Sequence, residues 1–217
     1  PAYNEELMTA KVCRTLKEIL DHEGISYELV LVDDGSSDGT WNQIEQISEQ
    51  DPNVTAVHFS RNFGKEAAIV AGLAQASGDA VAVMDCDLQH PPETLVKMFR
   101  LWEQGYEVVE GIKTNRGKES LLHRKSAGFF YGIMSRATGF DMQNASDFKL
   151  LDRKAVESVL SMPERSMFFR ATSSWIGYRS ISVLFEVQER EVGESKWSAR
   201  SLISYAFRNI VAFTTLP

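Results

Sequence analysis

The feature that most constrains the fold is a repeated order of short apolar runs, polar turns and helical patterns. Apolar runs typical of buried strands lie at 27–32, 54–59, 80–84 and 107–112. Apolar residues with helical spacing lie at 7–22, 41–50, 65–76 and 93–104. Strands that alternate with helices of ten or more residues require right-handed crossovers, and they form a parallel sheet covered on both faces. The sequence therefore predicts an α/β fold with a Rossmann-like, mostly parallel sheet.

Polar side chains follow the run at 80–84, where we expect the carboxyl end of a strand. Asp85, Asp87 and Gln89 alternate there, and a continued strand would direct them to one side, although we expect the backbone to turn before Gln89. Open α/β sheets bind ligands at this end, and oxygen donors suit Mg²⁺ or Mn²⁺ held partly by substrate phosphates. Two aspartates with this spacing also occur as ordinary helix caps. The buried strand before them favours a metal site.

The other strand ends also carry polar residues, so we expect them to converge on one crevice. The segment Pro1–Glu5 offers an aromatic ring, an amide and a carboxylate that suit a nucleobase, or it caps the first helix. Asp34 is a nucleobase ligand or a turn residue, and the loop at 61–65 contacts phosphate or is a solvated turn. Each segment taken alone favours the structural alternative.

Charge and composition narrow the class of protein. The chain has 217 residues, 43% of them hydrophobic, and a net charge of −7, which argues against general nucleic-acid binding. Two regions are locally basic, namely 113–125 and 195–217, which predicts contacts with anions or a membrane surface. Two cysteines give no disulfide framework, and no apolar run approaches the length of a membrane span.

Beyond residue 113 the alternation breaks. We predict helices at 119–138 and 153–160, a strand-like run within 178–190, and an amphipathic helix at 198–213. The predicted organisation is a catalytic domain at 1–193 and a juxtamembrane amphipathic segment at 194–217. We also expect the sequence to be part of a longer protein.

Six motifs together resemble the family 2 glycosyltransferases of the GT-A fold. They are most similar to the polyprenyl-phosphate type, which includes bactoprenol glucosyltransferases and dolichol-phosphate mannose synthases. The motifs are PAYNEE at 1–6, VDDGSSDGT at 32–40, SRNFGKE at 60–66, DCDLQHPPE at 85–93, SDFKLLDR at 146–153 and REVGESKW at 190–197. Two departures are the absence of the family's apolar first strand before PAYNE and the end of the chain where glucosyltransferase relatives continue into membrane helices.

The resemblance implies an inverting, metal-dependent hexosyltransferase that moves a sugar from a nucleotide sugar to a polyprenyl phosphate. The donor nucleotide would be held by Pro1, Ala2, Tyr3, Glu5, Asp34 and Asp85. The metal, Mg²⁺ or Mn²⁺, would be held by Asp85, Asp87 and Gln89. The catalytic residues would be Asp147, at the family's catalytic-base position, and Asp87.

An anionic acceptor also needs cations to hold it. We assign the acceptor phosphate to Lys113, Arg116, Arg124, Arg190 and Lys196, which lie in or beside the two basic regions. UDP-glucose and undecaprenyl phosphate are the leading pair, and the reaction would occur at the cytoplasmic face of the cell membrane. GDP-mannose with dolichyl phosphate, a soluble polysaccharide glycosyltransferase and a module without catalysis are the alternatives. The sequence leaves the oligomeric state open, a homo-oligomer included.

Overall fold

The computed structural model describes residues 1–114, 146–162 and 168–188. Helices and strands within these ranges follow the predicted order: α1 Glu6–His22, β1 Leu29–Asp33, α2 Thr40–Gln50, β2 Val54–His58, α3 Lys65–Gln75, β3 Ala80–Val83, α4 Pro92–Glu103, β4 Val108–Lys113, β5 Lys149–Asp152, α5 Arg153–Leu160, α6 Phe169–Trp175 and β6 Ser180–Phe185. The helices predicted at 119–138 and 198–213, and the boundary at 193, lie outside the described residues.

The strands form two groups. β1 pairs in parallel with β2, and a four-stranded sheet has the order β3-β5-β4-β6. β4 and β6 are parallel, whereas β5 lies between β3 and β4 and runs antiparallel to both. β5 is thus the one strand of this sheet that departs from a purely parallel arrangement. Because β5 runs antiparallel to β3, it begins where β3 ends, and Lys149 pairs with Val83.

Apolar faces of the helices cover these strands. Val12, Leu16 and Leu20 follow at intervals of four residues on α1 and are buried together. Ile69 and Leu73 of α3 pack with strands β3 to β5 in a second cluster. Burying each such side chain contributes about 1.5–3 kcal/mol to the stability of the fold. The packed helices therefore hold the carboxyl ends of the strands in place.

A cavity of about 590 Å³ separates the two groups of strands. Its walls include residues 29–32 of β1 and 80–83 of β3, together with apolar residues of α1 and α3. In the described ranges β1 and β3 are both edge strands, and Ala2 forms a single parallel bridge with Asp33 at the mouth of this gap. Within the described ranges, the two groups of strands are therefore joined through helices and not by strand pairing.

The cysteines and the lengths of the helices are two further features of the described residues. Cys13 and Cys86 are both buried thiols and form no disulfide. No helix in the described ranges is both long and apolar enough to cross a membrane.

Candidate active site

The segment Pro1–Glu5 is fastened to the carboxyl end of β1. The Ala2 N–H donates to the Val32 carbonyl at 2.8 Å, and the Asp34 N–H donates to the Ala2 carbonyl at 2.9 Å. Farther along, the Glu5 N–H donates to Thr40 Oγ1 at 2.7 Å. The segment predicted to bind the nucleoside thus forms one wall with the loop after β1, and Tyr3 is exposed on it.

The two aspartates after β1 hold neighbouring loops together. The buried Asp33 carboxylate accepts hydrogen bonds from Ser36 and lies 2.8 Å from His58 Nδ1. Asp34 accepts the N–H groups of Phe63 at 2.7 Å and Gly64 at 3.0 Å. Burial raises the pKa of Asp34, and these N–H groups oppose that effect. Asp34 therefore fixes the start of α3, and its contact with a nucleobase stays a prediction.

Gly35 is required where these loops meet. Its φ is +66°, and a Cβ placed there would lie 2.3 Å from the backbone carbon of Arg61. No other residue type fits so close to another backbone segment. The loops after β1 and β2 therefore pack directly on each other, as the DGS motif requires.

The predicted metal ligands lie just beyond β3. Asp85 is partly exposed, whereas Asp87 is buried and accepts the Gln89 N–H at 3.1 Å. The strand ends at Val83 and the chain turns at Leu88, where φ is +55°, so the alternation assumed for a continued strand does not extend to Gln89. Within the described residues, no three His, Cys, Asp or Glu side chains are arranged to hold a metal ion. Two carboxylates beside a substrate diphosphate still fit the usual Mg²⁺ site.

Four charged side chains meet at this edge of the sheet. Lys65 Nζ lies 2.8 Å from Asp85 Oδ1, 2.9 Å from Asp85 Oδ2 and 2.8 Å from Asp147 Oδ2. Arg170 donates to Asp147 through Nε at 2.7 Å and through a terminal nitrogen at 2.8 Å. We call Lys65, Asp85, Asp147 and Arg170 the charge cluster. It joins α3, the end of β3, the start of β5 and α6.

The cluster keeps its carboxylates ionised. Burial alone would raise the pKa of Asp147, but Arg170 and Lys65 outweigh it and hold that pKa well below its usual range. Burial likewise opposes ionisation of Asp85, whose pKa is nevertheless lowered by Lys65. Burial would lower the pKa of Lys65, yet Asp147 and Asp85 raise it. Asp147 is therefore a fixed anion that orients two cations and is poorly suited to accept a proton.

A buried lysine next to the charge cluster contacts α6. Lys149 is fully buried, and its Nζ lies 3.0 Å from Ser174 Oγ and 3.3 Å from both the Arg170 carbonyl and Glu110 Oε1. The Phe169 N–H donates to Glu66 on α3 at 2.8 Å. Contacts from β5 and α3 therefore fix the helix that presents the Arg170 guanidinium.

The predicted acceptor ligands are described only in part. Lys113 ends β4 and is exposed, but neighbouring protein desolvates it partly, and Arg170 adds repulsion, so its pKa is lowered. Arg116, Arg124, Arg190 and Lys196 lie outside the described residues. The structure brings two other cations to Asp147, namely Lys65, which lies in the loop predicted to contact phosphate or to be a solvated turn, and Arg170, which had no predicted role.

Only one of these two cations had a signal in the sequence. Lys65 directly follows Gly64 at a helix start, in a loop proposed for phosphate contact. Arg170 lies outside the six motifs, in the stretch 163–175 that resembles the bacterial glucosyltransferases without indicating a role for any one residue. Its contact with Asp147 depends on the docking of α6.

Comparison with known proteins identifies the family. The model of glycosyl transferase family 2 matches residues 1–160. A glycosyltransferase of Bacillus subtilis described as uncharacterized, YkcC, is 37% identical over 218 residues, covering 100% of this chain and 68% of that protein. The bactoprenol glucosyl transferase of Shigella phage SfV is 35% identical, covering 100% of this chain and 71% of that protein.

Solved structures show the same fold. Glucosyl-3-phosphoglycerate synthase of Mycobacterium tuberculosis, in complex with Mn²⁺, UDP-glucose and phosphoglyceric acid, matches with a TM-score of 0.63 at 21% identity, over 98% of this chain and 76% of that one. Mannosyltransferase PcManGT of Pyrobaculum calidifontis, in complex with GDP-mannose and Mn²⁺, matches with a TM-score of 0.57 at 21% identity, over 88% and 56%. These matches confirm the GT-A fold expected from the sequence. Because the family model matches residues 1–160 and the relatives match the whole chain, the chain belongs to glycosyl transferase family 2.

Proposed function

We propose that this glycosyltransferase moves glucose from UDP-glucose to a polyprenyl phosphate, with inversion at the transferred sugar carbon and with a divalent metal ion. The bactoprenol glucosyl transferases that match the whole chain support the sugar and the acceptor class. The Mn²⁺ and UDP-glucose bound by a structural neighbour support the donor and the ion.

The observation that carries the proposal is that Asp147 is held in its ionised form. Its carboxylate is bound by Arg170 and Lys65, so its pKa is depressed and it is a weak base. A sugar hydroxyl acceptor would need a base to remove its proton. A phosphate monoester has a second pKa of about 6 and is already largely ionised at neutral pH. The charge cluster therefore suits a phosphate acceptor better than a polysaccharide acceptor.

The chain's own residues then act by position and charge. Asp147 holds Arg170 and Lys65 at the crevice, where their charges compensate the anions of the two substrates. Asp85 and Asp87, with Gln89 beside them, would hold Mg²⁺ or Mn²⁺, which when bound neutralises charge developing on the diphosphate leaving group. Pro1, Ala2, Tyr3, Glu5 and Asp34 form the wall proposed for the nucleoside.

The site of action proposed for the chain is the cytoplasmic face of the membrane, because its acceptor is a lipid. Lys113 is the one proposed phosphate ligand among the described residues, and Arg116, Arg124, Arg190 and Lys196 keep that role as a proposal from the sequence. The boundary between a catalytic domain at 1–193 and a juxtamembrane segment at 194–217 is likewise part of the proposal.

A panel of nucleotide sugars tests this function. The protein is incubated with undecaprenyl or dolichyl phosphate and Mn²⁺ or Mg²⁺, and the released nucleotide is measured beside a reaction without acceptor. UDP release that needs UDP-glucose and the lipid supports the proposal, whereas GDP release from GDP-mannose selects the mannosyltransferase alternative. Transfer to a soluble oligosaccharide, with none to the lipid, would contradict the assigned acceptor. Lys17→Met serves as a matched control, since Lys17 pairs with Asp51 on the exposed surface.

A further inference from the structure

The position of Lys65 bears directly on how a metal ion reaches Asp85. The Lys65 ammonium contacts both oxygen atoms of the Asp85 carboxylate, Oδ1 at 2.8 Å and Oδ2 at 2.9 Å. A divalent cation binds a carboxylate through these same oxygen atoms. An ion that uses Asp85 therefore competes with the Lys65 ammonium for these oxygen atoms.

Lys65 keeps an anchor when it yields Asp85. Its Nζ is also 2.8 Å from Asp147 Oδ2, and Asp147 is fixed by the two nitrogens of Arg170. The start of α3 is fixed as well, because the N–H groups of Phe63 and Gly64 bind Asp34. The side chain is thus held at its base and at Asp147, and the N–H groups directed to Asp85 are the ones that become available.

We propose that Lys65 is an exchangeable cation, which occupies Asp85 in the absence of metal and passes to a substrate phosphate oxygen when the metal–donor complex binds. The inference rests on the proposed function, since it takes the substrate to be a nucleoside diphosphate donor. It adds a ligand for that anion and a reason for metal and donor to bind together.

The exchange has a thermodynamic consequence. A metal ion that arrives alone breaks the Lys65–Asp85 pair and leaves the ammonium without a new partner. A metal ion that arrives with a diphosphate gives Lys65 an anion in return. Metal and nucleotide therefore bind with positive coupling, and each raises the affinity of the other by the same factor.

Mn²⁺ binding in the absence of sugar transfer tests this inference. Free Mn²⁺ is measured by electron paramagnetic resonance in titrations of the wild type and of Lys65→Met, first without nucleotide and then with UDP. Because the variant has no competing ammonium, it should bind Mn²⁺ alone on the order of tenfold more tightly than the wild type. The factor by which UDP enhances Mn²⁺ binding should fall in the variant.

Two control variants separate exchange from a general loss of positive charge. Arg170→Met removes the other cation of the cluster but leaves Asp85 paired with Lys65, and Lys17→Met removes a lysine that pairs with Asp51 on the surface. Lys17→Met should bind Mn²⁺ within about twofold of the wild type, and Arg170→Met should tighten Mn²⁺ binding clearly less than Lys65→Met does, because neither variant frees an oxygen of Asp85. Equal tightening in Arg170→Met would overturn the exchange in favour of a simple field effect.

Other outcomes distinguish this inference from the proposed function. Unchanged or weaker Mn²⁺ binding in Lys65→Met, with wild-type binding that depends on Asp85, would overturn the role of Lys65 and leave the metal site intact. Absence of Mn²⁺ binding in both proteins, with and without UDP, would overturn both. Tighter binding in Lys65→Met would support the exchange even if the nucleotide-sugar panel assigned a different acceptor.

Discussion

The pairing of Asp147 with Arg170 makes a quantitative prediction about stability. Asp147 keeps only 5% of its side-chain surface exposed, and two nitrogens of Arg170 approach it at 2.7 and 2.8 Å. We consider Asp147→Asn, Arg170→Gln and the double variant as a thermodynamic cycle. The cycle isolates the pair from the effect of either substitution on its other neighbours.

The expected loss of stability follows from the burial of the Asp147–Arg170 pair. Removing one partner of a buried ion pair costs about 3–5 kcal/mol, because the remaining charge is left uncompensated. The Arg170 side chain keeps 23% of its surface exposed, and Lys65 still contacts Asp147. We therefore expect Arg170→Gln to cost roughly 2–3 kcal/mol, at or just below the lower limit of that range. The double variant should cost about 2 kcal/mol less than the two single costs together.

Urea denaturation followed by circular dichroism measures these free energies, and thermal unfolding gives a second estimate. For a chain of this size, 1 kcal/mol corresponds to about 2–4 °C in the unfolding midpoint. Arg100→Gln is the matched control, because Arg100 pairs with Glu103 on the exposed surface at 2.9 Å. Such a pair contributes about 0–1 kcal/mol.

Additive costs of the two substitutions would contradict a coupling between Asp147 and Arg170. If the double variant lost the combined cost of the single variants to within about 0.5 kcal/mol, the carboxylate and the guanidinium would not be coupled. Asp147 would then lack the partner that holds its pKa low. The argument for an acceptor that needs no base would lose its structural basis.

The other predictions concern the metal, the chemical step, pH and the membrane. Asp87→Ala should abolish Mn²⁺-dependent UDP binding in calorimetry with an unchanged circular dichroism spectrum, and retained binding would exclude Asp87 as a ligand. Asp147→Asn should lower the turnover rate about 100-fold, because misplaced cations no longer align the substrates. Donor affinity should fall much less than the turnover rate, whereas a loss of donor binding in step with turnover would move Asp147 to the donor site. Since the folded-state pKa of Asp147 is depressed, its contribution to stability is complete above its unfolded value of about 3.9 and is lost as pH falls below it. Acid titration of unfolding should therefore show a weaker pH dependence in Asp147→Asn than in the wild type. Replacing both Arg200 and Arg208 by Glu should reduce co-sedimentation with anionic liposomes, and unchanged binding would refute a surface role for 198–213.

The strands and helices were predictable wherever the signal is local. The apolar run at 80–84 became β3 Ala80–Val83, and the helical pattern at 65–76 became α3 Lys65–Gln75. Turn residues bound each of these elements, so the pattern alone set their limits to within a residue or two. The GT-A fold followed from the same order together with the family motifs.

The direction of β5 had no comparable signal. A four-residue strand carries little information about its partners, and Lys149 within it favours a solvated position by residue type. Its burial depends on Glu110, which lies opposite it across the pair of strands β4 and β5. Cross-strand neighbours of this kind are set by tertiary pairing, which the sequence pattern does not specify.

The charge cluster shows why local charge density was an incomplete guide to the site. Basic residues crowded in sequence indicate an attraction for anions, and they supplied the acceptor ligands proposed at 113–125. Lys65 was expected only to contact phosphate and Arg170 lies outside the six motifs, so their meeting at one carboxylate became apparent only from the packing of α3, β5 and α6. A site assembled from several elements is visible in the sequence only where each contributor lies in its own motif.

The formal charges at this edge also indicate an order of binding. Asp85, Asp87 and Asp147 oppose Lys65, Arg170 and the neighbouring Lys113, so these six side chains carry no net charge and attract a diphosphate or a phosphate only weakly. A divalent ion held by the aspartates after β3 would make that balance positive and would free Lys65 to face the incoming anions. The donor can bring its own ion to the site, and that ion would add to the attraction that Lys113 offers a lipid phosphate. We therefore infer that the nucleotide sugar and metal bind first and the lipid phosphate second, because the binding of the donor supplies part of the charge that holds the acceptor.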